Sequence, residues 1–90
     1  MKIKKGFILR DVGGKTYVVA VGELSKTFNG MVTLNETGKF LWQELEKGAT
    51  KEELLVKMLS EFEGAEEETV KQDIDMFISK LEKDKVLEQA

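Results

Sequence analysis

The chain has 90 residues, enough for one domain with a single small core, and no Pro-, Ser- or Gly-rich linker marks a second. It contains no cysteine, histidine or proline, which excludes disulfides, the usual zinc and iron ligand sets and every Cys- or His-based nucleophile. The formal net charge of −3 hides an asymmetry: residues 1–30 carry six Lys/Arg against two acids, and residues 31–90 carry eight against fifteen.

Met1-Lys2-Ile3-Lys4-Lys5 is basic, but no apolar run of signal-peptide or membrane-span length follows it, which predicts a soluble, cytoplasmic protein. Gly6-Phe7-Ile8-Leu9-Arg10-Asp11-Val12 and Lys15-Thr16-Tyr17-Val18-Val19-Ala20-Val21 are rich in β-branched and aromatic residues. With Gly13-Gly14 between them they predict an antiparallel hairpin. Gly22 to Asn29 is polar and turn-like, and Met31 to Leu34 then returns as a very short third strand at one edge of a meander. Such an edge keeps backbone N–H and C=O groups that another chain can use.

Asn35 is a good helix N-cap, Glu36 suits the positive end of the helix dipole and Gly48 is a natural stop, giving a first helix over 36–47. Phe40, Leu41, Trp42 and Leu45 cover a wide arc of it, as on a helix packed from more than one side. Thr50-Lys51-Glu52-Glu53 is a capping box, and Leu54, Leu55, Met58, Leu59 and Phe62 follow on one face of a second helix over 51–62. Gly64 breaks it. A third helix starts near Glu66-Glu67-Glu68, with a stripe of Val70, Ile74, Phe77, Ile78 and Leu81, and Val86-Leu87 folds back onto the core. The expected class is α+β: a three-stranded antiparallel sheet followed by three helices, with a helix-turn-helix outline at 51–84 that makes it winged-helix-like, in one domain over 1–90.

Little here supports catalysis. Ser25, Ser60 and Ser79 have no histidine to act as base, and the glycines match no phosphate-binding loop. Glu66, Glu67 and Glu68 with Asp73 and Asp75 are better explained by the helix dipole than by a cation site, because a calcium loop needs ligands at defined spacing. No metal or cofactor is expected. DNA binding is the rival function that the helix-turn-helix outline invites. A recognition helix needs cations for phosphate, yet residues 66–84 carry seven acids against three lysines. The basic residues Lys2, Lys4, Lys5, Arg10, Lys15 and Lys26 belong to the strand side, without the aromatic interleaving that single strands use. Recognition of an extended peptide remains, through an edge strand with side-chain pockets on an adjacent helix. On the third helix Asp73, Met76 and Lys80 share one flank beside Phe77, and Met76 lies off the core face.

The whole pattern resembles the PqqD family, small stand-alone proteins of the RiPP recognition element type. The resemblance is carried by the hairpin ending in Val18-Val19-Ala20-Val21 and by Phe28-Asn29-Gly30-Met31-Val32-Thr33-Leu34-Asn35-Glu36-Thr37-Gly38 leading into Leu41-Trp42. Thr50-Lys51-Glu52-Glu53-Leu54, then Asp73-Ile74, Phe77 and Leu81, and the final Val86-Leu87 complete it. It implies a non-catalytic peptide chaperone that binds the leader of a ribosomally made precursor peptide and presents it to a modifying enzyme, often a radical SAM protein. The leader is expected to add as a strand at Met31, Val32, Thr33 and Leu34 and to pack against Asp73, Met76, Phe77 and Lys80. No nucleic acid and no membrane take part in that role. A winged-helix DNA-binding regulator is the alternative.

Overall fold

A computed structural model describes residues 1–22 and 32–88 of the chain. The element order is β1 (Phe7–Val12), β2 (Lys15–Ala20), β3 (Val32–Leu34), α1 (Glu36–Lys47), α2 (Lys51–Glu61) and α3 (Glu67–Lys83). The three strands form one antiparallel sheet in the order β1-β2-β3. This is the expected α+β architecture. The expected turn through Phe28, Asn29 and Gly30, and Met31 itself, lie outside the described residues.

Gly13 and Gly14 have φ of 58° and 80°, the pair of left-handed conformations that a two-residue type I′ turn requires, and they close the hairpin where Val12 opposes Lys15. The phase of the sheet follows from one bond beyond the strand ends, in which the Val21 N–H donates to the Gly6 carbonyl at 2.7 Å. Bonded and non-bonded pairs alternate along an antiparallel ladder. Counting inward from Gly6 and Val21, the bonded pairs between β1 and β2 are Ile8 with Val19, Arg10 with Tyr17 and Val12 with Lys15. Thr16 and Val18 therefore turn their backbone groups the other way and bond Leu34 and Val32 of β3. Thr33, opposite Tyr17, is left with its N–H and C=O directed at the open edge.

Side chains obey the same alternation. Phe7, Thr16, Val18 and Leu34 are buried on the helix side of the sheet, while Ile8, Arg10, Val12, Lys15 and Thr33 are exposed on the other. Trp42 of α1 is wholly buried, and Phe7 meets its ring edge-on at 6.3 Å. Its Nε1 has no hydrogen-bond partner among the described residues. Val70, Ile74, Ile78 and Leu81 form the buried stripe of α3, and Val86 and Leu87 close the core as expected. The N-terminal segment joins in, with the Ile3 N–H on the Leu45 carbonyl at 3.1 Å and the Lys4 N–H on the Val86 carbonyl at 2.9 Å.

The helix ends follow their caps. Asn35 Oδ1 accepts from the Gly38 N–H at 2.8 Å. Thr50 and Glu53 make the reciprocal capping box, the Glu53 N–H on Thr50 Oγ1 at 3.2 Å and the Thr50 N–H on Glu53 Oε1 at 3.0 Å. The α2 stripe is narrower than its spacing predicts. Leu54 and Met58, one turn apart, are buried, whereas Leu59 is 37 % exposed. Each step along a helix turns about 100°, so once Leu54 and Met58 point inward, Leu55 and Leu59 fall to the rim.

Candidate peptide-binding site

Two features lie side by side where β3 passes into α1. The first is the free edge of β3, which ends the sheet among the described residues. The second is an open cleft of about 300 Å³ lined by Asn35, Thr37, Gly38 and Leu41 from the start of α1 and by Asp73, Met76, Phe77 and Lys80 from α3. Asn35 directly follows β3, so the cleft begins where the strand ends, and no residue of β1, the opposite edge, lines it.

Local chemistry explains the arrangement. Asn35 leaves the strand with extended backbone and caps α1 with its side chain, which turns the chain sharply from sheet to helix. At Gly38 an added Cβ would lie 3.1 Å from Asn35 Oδ1 and 3.5 Å from Leu34 Cδ2, so the missing side chain lets the first turn of α1 sit close against β3 and its cap. On α3 the buried stripe fixes the helix rotation, and Asp73, Met76 and Lys80 then fall one after another along the flank that faces α1. Met76 is 72 % exposed, and Phe77 is half-buried between the core and the cleft.

The four α3 residues singled out from the sequence thus line one cleft, and Val32, Thr33 and Leu34 form the adjacent edge strand; Met31 lies outside the described residues. The ladder divides the work along that strand. Val32 and Leu34 spend their N–H and C=O groups on β2, and Thr33 is the described residue of β3 whose groups face outward. The α1 wall of Asn35, Thr37, Gly38 and Leu41 is absent from the expected site. A clue to Leu41 was present, since the apolar arc of α1 is wider than one buried face needs, but the cap residues gave no signal beyond their capping role.

Electrostatics differ on the two sides of the cleft. Behind β3, Lys39 of α1 binds Asp11 of β1 with Nζ 3.3 Å from Oδ2, and Thr16 Oγ1 donates to Asp11 Oδ1 at 2.5 Å. These contacts, the Thr16 hydrogen bond foremost, hold the Asp11 carboxyl below its ordinary value. On the α2 flank of α3, Asp75 pairs with Lys51 at 3.1 Å beside a smaller hollow that both residues line. The side chains of Asp73 and Lys80 in the cleft make no ion pair or hydrogen bond among the described residues. Nor does any group of three or more His, Cys, Asp or Glu among those residues come together as metal ligands, and no described helix is long and apolar enough to cross a membrane.

Comparison with solved structures gives two similar folds. TbiB1 in complex with the TbiA(β) leader peptide superposes with a TM-score of 0.78 at 22 % identity, covering 100 % of this chain and 98 % of that one. Lasso peptide synthetase B1 complexed with the leader peptide gives 0.71 at 16 %, covering 91 % and 89 %. Comparison with curated protein sequences gives no match. The sequence matches the family of coenzyme PQQ synthesis protein D (PqqD) over residues 7–87, so this chain belongs to the PqqD family.

Proposed function

We propose that this chain is a non-catalytic, cytoplasmic recognition module, 1–90, that binds the leader of a ribosomally made precursor peptide as a fourth strand on β3 and presents it to a peptide-modifying enzyme such as a radical SAM protein. The observation that carries the proposal is the outward-facing backbone of Thr33 beside the cleft between α1 and α3. A peptide strand paired there places alternate side chains on the helix side of the sheet, against Leu41, Met76 and Phe77. Family membership supports it, as do two similar folds that are complexes with leader peptides.

The acidic start of α3 argues against the DNA-binding alternative. Glu66, Glu67 and Glu68 are exposed where a recognition helix would enter the groove, and phosphates would repel them. Titration with a synthetic leader from a precursor encoded beside this chain's gene, and separately with duplex DNA at physiological salt, tests the two functions together. Saturable leader binding is expected, with DNA no tighter than the ~10⁻⁴–10⁻⁶ M of non-specific binders. Sub-micromolar DNA binding with a steep salt slope, and no leader binding, would reverse the assignment.

A further inference from the structure

We infer that the cleft reads a charge pattern, selecting an extended segment with an apolar side chain at its centre and side chains of opposite sign two residues before and two residues after it. The inference rests on strand addition at β3 and names the class of peptide that this site takes.

The two flanks of α3 treat their charges differently. Facing α2, Asp75 is neutralised by Lys51, and Lys71 lies 3.9 Å from Glu67 one turn away. Facing α1, Asp73 and Lys80 stand at the two ends of the cleft, exposed, with no partner of opposite charge among the described residues. They are seven positions apart, about 10.5 Å along the helix. Between them lie Met76 and Phe77, with Leu41 on the facing wall. The cleft is therefore apolar at its middle, negative at one end and positive at the other.

An extended peptide matches that layout at one spacing. Side chains on one face of a strand recur every second residue, so residues i, i+2 and i+4 all point into the cleft. The span from i to i+4 is about 13 Å, and the excess over the Asp73–Lys80 rise is within the reach of a lysine side chain. A basic residue at the Asp73 end and an acidic one at the Lys80 end complete two ion pairs. The reverse order opposes like charges at both ends. Exposed pairs are individually weak, so the pattern selects among peptides and fixes their direction, while strand pairing and the apolar centre hold them.

Selection of a display library of short random peptides against the parent protein and against the double variant Asp73→Lys with Lys80→Asp tests this directly. The parent should enrich an apolar residue flanked at two positions on either side by opposite charges in one fixed order, and the double variant should enrich the reverse order. The single variants Asp73→Asn and Lys80→Gln should each erase the preference at one end, which keeps the test decisive if the double variant folds poorly. Enriched peptides that lose binding to Thr33→Pro yet show no charge order, or the same order for both proteins, would overturn the charge-reading inference and leave strand addition standing. Enrichment of no peptide, or of peptides that bind Thr33→Pro as well as the parent, would overturn strand addition and this inference with it.

Discussion

A pair of proline substitutions in β3 separates folding from binding at neighbouring residues. The Val32 N–H points inward to Val18, which is 1 % exposed, so Val32→Pro deletes a ladder bond and leaves the Val18 carbonyl buried without its donor. A buried acceptor stripped of its partner costs about 1–3 kcal/mol, before any clash of the ring with β2 is counted. The Thr33 N–H points to the open edge and its side chain is exposed, so Thr33→Pro should cost under about 1 kcal/mol of stability. It removes the outward donor and sets a ring against an incoming strand, which should weaken leader binding by about 1 kcal/mol or more, roughly five-fold. Thermal unfolding can be followed by the fluorescence of the single tryptophan, Trp42, buried in the core, and binding by calorimetric titration. A stable Val32→Pro beside an unfolded Thr33→Pro would show the ladder phase to be wrong. Folded variants at both positions that bind leader as tightly as the parent would refute strand addition.

Met76→Ala should leave stability within about 0.5 kcal/mol, because the side chain is 72 % exposed, yet weaken leader binding in the same titration. Leu45→Ala, at a wholly buried position of α1, should lower unfolding free energy by about 2–5 kcal/mol in denaturant melts. Thr50→Ala should cost about 1 kcal/mol through the α2 capping box and leave peptide affinity unchanged, since Thr50 does not line the cleft. Asp11, Glu44 and Glu53 all have carboxyls held below their ordinary values, by the Thr16 hydroxyl, by Lys57 and by the Thr50 backbone N–H respectively. A depressed folded-state value means that their stabilisation is complete above the ordinary carboxylate range and is lost as pH falls below that range through the depressed values, so melting temperature should hold near neutrality and drop in acid. Asp11→Asn should flatten part of that drop.

Short-range signals fixed most of the architecture in advance. Gly13-Gly14, Asn35, the Thr50 to Glu53 box and Gly48 each have a local physical meaning, and the corresponding turn and caps form where those residues stand. The helical spacing of Val70, Ile74, Ile78 and Leu81 also located the exposed flank carrying Asp73, Met76 and Lys80. Two things were hidden. Which residue of β3 faces outward depends on the pairing phase of all three strands, set by Gly6 with Val21 at the far end of the hairpin, and no property of Val32 or Thr33 alone reveals it. The α1 wall of the cleft depends on how closely α1 approaches β3 and α3, a tertiary matter that the capping pattern of Asn35 to Gly38 does not encode.

Amide hydrogen exchange of Val32, Thr33 and Leu34, with and without a bound leader peptide, tests strand addition most directly. In the free protein the Val32 and Leu34 amides should be protected by their bonds to β2, while Thr33 exchanges quickly from the open edge. On saturation with leader the Thr33 amide should become protected, with its neighbours little changed. A saturating leader peptide that leaves Thr33 exchanging at its free rate would contradict the addition of a fourth strand to this sheet.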